Sequence, residues 1–159
     1  MATITSNPSN ALAGDVPVPG DKSLSHRALM IGASAVGETE ITGLLGAEDV
    51  MATLNALRAL GIEISQDTDS SGAEPVWRLW GRGVGGLAEP ASVLDLGNSG
   101  TGARLLMGLL ASHPFNAVIT GDASLRERPM ARITEPLSRM GASFTARDGE
   151  LLPITVHGS

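Results

Sequence analysis

The chain contains a single lysine, Lys22, within the stretch PGDKSLSHRALM at residues 19–30; its other ten basic residues are arginines. Gly20 and Asp21 precede the lysine, and an apolar run with helical spacing follows it. A helix start leaves backbone N–H groups without internal partners and carries the positive end of the helix dipole, so it suits an anion. Lys22 adds a compact charge there and Ser23 a hydroxyl. Arg27 lies one turn beyond Ser23 on the same face. Phosphate or carboxylate binding is the chemistry this set can perform. A capped helix start with solvated basic side chains is the other reading, and these residues alone leave the two level. The stretch is not a P-loop: G-x-x-x-x-G-K-S/T does not fit, because Asp21 intervenes between Gly20 and Lys22.

Two further stretches place basic groups at helix starts. GNSGTGAR at residues 97–104 puts glycines at 97, 100 and 102 and ends on Arg104. The order is wrong for G-x-G-x-x-G, so a dinucleotide site is a weak reading. The glycines do let a ligand approach the backbone closely; a tight turn alone is the alternative. Asn98 and Gly100 sit in this turn. SLRERPM at residues 124–130 places Arg126 and Arg128 just ahead of Pro129. Cations are disfavoured at a helix start, so a shared anion would account for them, as would an exposed loop.

Other titratable groups show less. His26, His113 and His157 lack metal-ligand spacing, so no metal is expected. His26 is expected to flank the first site, while His113 and His157 read as structural or solvated. Glu48 and Asp49 read as first-turn helix acids rather than a catalytic pair.

Composition bounds the rest. At 159 residues, 42% hydrophobic and 18% charged, the chain can bury a core. A net charge of −6 gives no sign of nucleic acid or a membrane surface as partner. Zero cysteines exclude disulfides, thiolate metal sites and a cysteine nucleophile. No apolar run reaches the roughly 18 residues of a membrane span. Residues 1–14 hold no Lys or Arg and read as a loose tail on a cytoplasmic protein.

These stretches have to be positioned, and the chain shows how by repeating itself. With residues 20–35 set over 97–112, Gly20 falls on Gly97, Arg27 on Arg104, Leu29 on Leu106 and Met30 on Met107. ITG recurs at 41–43 and 119–121. Each copy predicts β-α-β-α-β-β, at residues 15–82 and 83–159, an α/β fold. The first strands are VPVPG and VLDLG. The first helices, from Ser23 and Thr101, are apolar nearly all round and are expected to be buried. The second helices run over about 47–60, and from Pro129 onward through a kinking Pro136. Gly61 and Gly141 are expected to stop them. Lys22 has no basic counterpart; Ser99 stands in its place.

Three basic helix starts on a repeated unit resemble the EPSP synthase family. PGDKSLSHRAL is similar to the family's Pro-Gly-Ser/Asp-Lys-Ser-x-Ser-Asn/His-Arg signature. LGNSGTGAR is similar to Gly-Asn-Ala/Ser-Gly-Thr-x-x-Arg, and GDASLRERPM to its Arg-Pro loop. The resemblance covers nearly all of the chain after about Gly14, and three motifs in order make it specific.

The resemblance implies the enolpyruvyl transferase fold, an inside-out α/β barrel of two domains with three such units each. It implies transfer of the enolpyruvyl group of phosphoenolpyruvate to shikimate 3-phosphate, with no metal or organic cofactor. It places Lys22 between the two substrates as the catalytic cation. Ser23 and Arg27 are implied at shikimate 3-phosphate. Gly100 and Arg128 are implied at phosphoenolpyruvate, with Asn98 and Arg104 nearby. Glycine at position 100 implies a site open to glyphosate. Leu105 departs from the proline common after this arginine. The resemblance also puts a third unit, a second domain and the proton-transfer acids beyond Ser159, making this an N-terminal portion whose partner is the remainder of the enzyme. The alternatives are an anion-binding piece without turnover and a UDP-N-acetylglucosamine enolpyruvyl transferase, which usually carries a loop cysteine. A weaker one is an RNA-terminal-phosphate enzyme of similar fold.

Overall fold

The computed structural model describes residues 3–8, 11, 13–67, 75–148 and 150–158. Helix α1 (Lys22–Ser34) leads into β1 (Val36–Ile41), α2 (Glu48–Ala59), β2 (Glu63–Asp67) and β3 (Val76–Arg82). There follow β4 (Leu94–Asp95), α3 (Gly100–Leu110), β5 (Asn116–Thr120), a 3-10 turn (Leu125–Glu127), α4 (Ala131–Arg139), β6 (Ser143–Arg147) and β7 (Leu151–His157). The polar stretch SQDTDSSGAEP at residues 65–75, which reads as a turn in the sequence, lies largely outside the described residues.

The strands form two mixed-layer partners for the helices, an α/β arrangement as expected. One sheet has the order β1-β3-β2, all antiparallel. The other has the order β4-β5-β7-β6, parallel only between β4 and β5. Alternation on the central strands sends Trp77 and Leu79 of β3, and Leu152, Ile154 and Val156 of β7, into the interior. There they meet Leu29 and Ala33 of α1, Leu54 and Leu57 of α2, and Leu106 and Met107 of α3 in one continuous core. Deleting a fully buried leucine such as Leu79 in such a core costs about 2–5 kcal/mol.

Both second helices end alike. Gly61 and Gly141 adopt φ values of 86° and 104°, a region open to glycine. Gly61 N–H bonds Arg58 O and Ile62 N–H bonds Leu57 O; Gly141 and Ala142 make the same bonds to Ser138 and Leu137. This is the Schellman termination.

Three expectations need correction. VPVPG forms no strand, and Val16 and Val18 are each 82% exposed. Pro17 and Pro19 have no N–H to donate to a ladder, whereas Leu94 and Asp95 pair with Ile119 and Thr120. Helix α1 is not buried all round: Leu24 and Ile31 stand exposed. Helix α4 begins at Ala131 rather than Pro129, because the Arg-Pro loop first makes a 3-10 turn. Among the described residues no helix is long and apolar enough to cross a membrane.

Candidate functional site

The first helix start is built from the inside out. Asp21 caps α1, its Oδ1 accepting Leu24 N–H at 2.8 Å. Ser25 Oγ donates to Asp21 O at 2.8 Å and accepts Leu45 N–H at 3.0 Å, tying the loop before α2 to α1. With the backbone so held, Lys22 Nζ reaches Asp49 Oδ2 at 2.9 Å. Burial pushes the Asp49 carboxyl up, but the bond and charge of Lys22 outweigh it and hold the group below the usual carboxylate value.

The second helix start carries more polar bracing. Ser99 caps α3, its Oγ accepting Gly102 N–H at 3.2 Å. Asn98 Nδ2 donates to Asp122 Oδ2 at 2.6 Å, while its Oδ1 accepts from Arg128 Nη2 at 2.6 Å. Asp122 Oδ1 also takes Leu125 N–H at 2.7 Å, so one carboxylate orders both the asparagine and the 3-10 turn that presents Arg128. Arg104 folds back to donate to Gly100 O and to Pro129 O, each at 3.2 Å. Its Nε is buried without a partner among the described residues. Burial, then the charges of Arg132 and Arg128, pull the Arg104 guanidinium below the usual arginine range.

The two starts open on one cleft of about 450 Å3. Lys22, Glu48 and Asp49 line it from α1 and α2; Gly97, Asn98, Gly100, Thr101 and Arg104 line it from α3 and its turn; Arg128 closes it. Among the described residues Arg104 and Arg128 make no ion pair with any carboxylate. Gly100 keeps the floor low. A Cβ there would come within 2.9 Å of Arg104 Nη1 and 3.2 Å of Arg128 Nη1.

The sequence model of EPSP synthase (3-phosphoshikimate 1-carboxyvinyltransferase) matches residues 6–159, nearly the whole chain. The chain belongs to the EPSP synthase family. It is 64% identical over 148 residues to the 3-phosphoshikimate 1-carboxyvinyltransferase of Paramagnetospirillum magneticum, covering 93% of this chain and 32% of that protein. It is 60% identical to the enzyme of that name from Rhodospirillum rubrum, covering 95% and 33%. A solved EPSP synthase from Acinetobacter baumannii superposes with a TM-score of 0.83 at 46% identity, over 92% of this chain and 32% of that one. The chain thus spans about a third of the length of these EPSP synthase relatives.

Within this EPSP synthase segment the tertiary structure gathers Lys22, Asn98, Gly100, Arg104 and Arg128 at one cleft. Ser23 and Arg27 do not line it: both are exposed, and Arg27 Nη1 donates to Ser23 O at 3.0 Å. Arg126 is likewise exposed. His113 and His157 serve structure, the former beside Leu109 O and the latter between Thr145 Oγ1 and Asn116 Oδ1. Among the described residues no group of His, Asp or Glu could hold a metal. Sequence reasoning passed over Asp122, which lay unremarked in GDASLRERPM, and took Asp49 only for a first-turn acid. Its pairing with Lys22 depends on α2 packing against α1, which no local pattern signals.

Proposed function

We propose that this cleft binds phosphoenolpyruvate beside shikimate 3-phosphate, and that the chain supplies part of the site for enolpyruvyl transfer between them. The observation that carries the reading is the pair of guanidiniums, Arg104 and Arg128, turned on one cleft with Lys22 and lacking carboxylate partners among the described residues. Such a set calls for an anion with several oxygens. The family supports the substrates: its named members are 3-phosphoshikimate 1-carboxyvinyltransferases.

In this reading the 5-hydroxyl of shikimate 3-phosphate gives up its proton as its oxygen bonds to C2 of phosphoenolpyruvate. The C2–C3 double bond opens as C3 gains a proton, both protons passing through acids and bases of the remainder of the enzyme. The tetrahedral adduct then loses phosphate from C2 and a proton from C3, which restores the double bond. Both substrates are multiply anionic, and their reacting atoms must approach closely. Lys22 is a slim point charge able to sit between them; Arg104 and Arg128 are planar forks suited to one carboxylate or phosphate. Their work is proximity and electrostatic stabilisation. Ser23 and Arg27 would meet shikimate 3-phosphate on the open side of α1. Glyphosate, an anion of similar reach, would enter over Gly100. The two repeated units, the first without the opening strand that β4 gives the second, would be two of the enolpyruvyl transferase fold's units, working in the cytoplasm with the remainder of an enzyme of the relatives' length.

Calorimetric titration of phosphoenolpyruvate into the chain, with and without shikimate 3-phosphate, tests this. Binding that weakens by about tenfold or more in Arg128→Gln is expected. Equal binding by the variant, or none by the native chain at millimolar ligand, would sink the reading.

A further inference from the structure

Behind the cleft, where α1, α2 and α3 meet, lies a small polar cluster sealed from solvent. His26 and Thr53 are 0% exposed and Ser99 is 1% exposed. His26 Nδ1 lies 2.9 Å from Thr53 Oγ1, and His26 Nε2 lies 3.5 Å from Ser99 Oγ. Thr53 Oγ1 in turn donates to Asp49 O at 3.4 Å, and Ser99 Oγ accepts Gly102 N–H at 3.2 Å. The packing leaves no slack. A Cβ on Gly102 would fall 2.5 Å from Thr53 Oγ1 and 2.6 Å from Ser99 Oγ.

We propose that His26 is a positioning residue of the cleft, whose ring spans from Thr53 to Ser99 and so fixes the distance between the Lys22–Asp49 pair and the turn that carries Asn98, Gly100 and Arg104. The chain positions of its partners are what make this more than core packing. Thr53 stands one helical turn beyond Asp49, the residue that holds Lys22. Ser99 stands between Asn98, which holds Arg128, and Gly100, the floor of the cleft. One imidazole therefore touches the supports of both halves of the cleft.

The donors and acceptors assign the tautomer. Ser99 Oγ spends a lone pair on Gly102 N–H and keeps its proton for His26 Nε2. His26 Nδ1 then carries the ring proton and donates to Thr53 Oγ1, whose own proton points to Asp49 O. The charged groups facing the ring are Asp49 on α2 and Lys22 and Arg27 on α1; α3 presents none to it among the described residues. Burial pushes the imidazole below the ordinary histidine value, Asp49 opposes this, and Lys22 and Arg27 add to it. The neutral ring that the two contacts require is therefore the resting state at neutral pH.

The inference rests on the reading of the cleft as a phosphoenolpyruvate site, and the test separates the two. Phosphoenolpyruvate is titrated into the native chain, His26→Leu and His26→Gln, with amide and imidazole NMR on each folded protein. Leucine fills the space without polar atoms, and binding is expected to weaken by about tenfold. Glutamine reaches the place of Nε2, and binding within about threefold of native is expected. The native ring is expected to show Nδ1 protonated and Nε2 bare. Native-like affinity in His26→Leu, with the Gly100 and Gly102 amide signals unmoved, overturns the proposal. If His26→Leu does not fold, His26→Gln decides: equal affinity with an Nδ1-protonated native ring supports the role, and an Nε2-protonated native ring overturns it. If the native chain binds no phosphoenolpyruvate, the functional reading fails. The positioning role is then judged on the same amide signals: displaced in leucine and restored in glutamine supports it, unmoved in both overturns it.

Discussion

Asn98 Oδ1 accepts a 2.6 Å hydrogen bond from Arg128 Nη2, joining the turn before α3 to the loop before α4. The amide can face only one way. A guanidinium donates and never accepts, and the Asp122 carboxylate on its other side only accepts, so Oδ1 must meet Arg128 and Nδ2 must meet Asp122. A cation on a long, flexible stem is thereby aimed at the cleft by a short side chain rooted in the opposite helix start.

Asn98→Ala is expected to leave the fold intact, since the residue is exposed and lies outside the core. Arg128 would lose its aim, and phosphoenolpyruvate binding would fall by about tenfold, near 1.4 kcal/mol. Titration calorimetry beside a melting curve checks this. A large drop in Tm with unchanged affinity would show the bond to be structural instead.

Lys22→Arg should be nearly silent in stability. The Lys22–Asp49 pair has a lysine side chain 55% exposed, and such pairs contribute about 0.2–1 kcal/mol. Arginine can keep that pair. Turnover, measured where this segment stands in a chain of the relatives' length, is expected to fall by about a hundredfold, because a planar fork cannot sit between two anions as a point charge does. Near-normal turnover would refute the role given to the lysine.

Gly100→Ala adds a methyl 2.9 Å from Arg104 Nη1 and 3.2 Å from Arg128 Nη1. Both contacts are with ends of flexible side chains, so the expected result is a folded protein with the two guanidiniums pushed aside. Glyphosate binding should weaken by more than about tenfold, and phosphoenolpyruvate less. Competition binding decides; equal losses for both would mean that the methyl merely blocks entry.

Acid should weaken the fold in two steps. His26 titrates below its ordinary 6.5 when folded. As pH falls past about 6.5 the unfolded chain takes up a proton that the folded chain refuses, so stability falls until the folded value is passed. Asp49, held below its ordinary 3.8, acts with the same sign lower down. Its contribution is present above that value and is lost as pH falls through the folded one. Urea unfolding of the native chain should therefore show a decline as pH falls below about 6.5 that His26→Leu lacks. An identical decline in both would assign it elsewhere.

The helices, their glycine stops and the central strands were legible because they follow from local rules. The alternation on β3 and β7 and the 3.6-residue spacing of Val50, Leu54 and Leu57 need no partner to be seen. Failures came where a partner decides. VPVPG has the residues of a strand, yet its prolines leave it without the donors a ladder needs. Leu24 and Ile31 count as apolar in a periodic pattern, yet the pattern cannot say which face has a neighbour.

The site divides in the same way. The sequence by itself determined the chemical inventory: one lysine, Arg104 and Arg128 in stretches that read as helix starts, Gly100 one turn ahead of Arg104, and the order of motifs that marks the family. These are properties of residue type and spacing, and any fold would inherit them. Only the tertiary structure decided the meeting of α1, α2 and α3. It sets Lys22 on Asp49, Asn98 between Arg128 and Asp122, and His26 between Thr53 and Ser99. Hydrogen bonds and charges act over a few ångströms, and residues 27 and 73 apart in the chain come that close to His26 only when the core has packed.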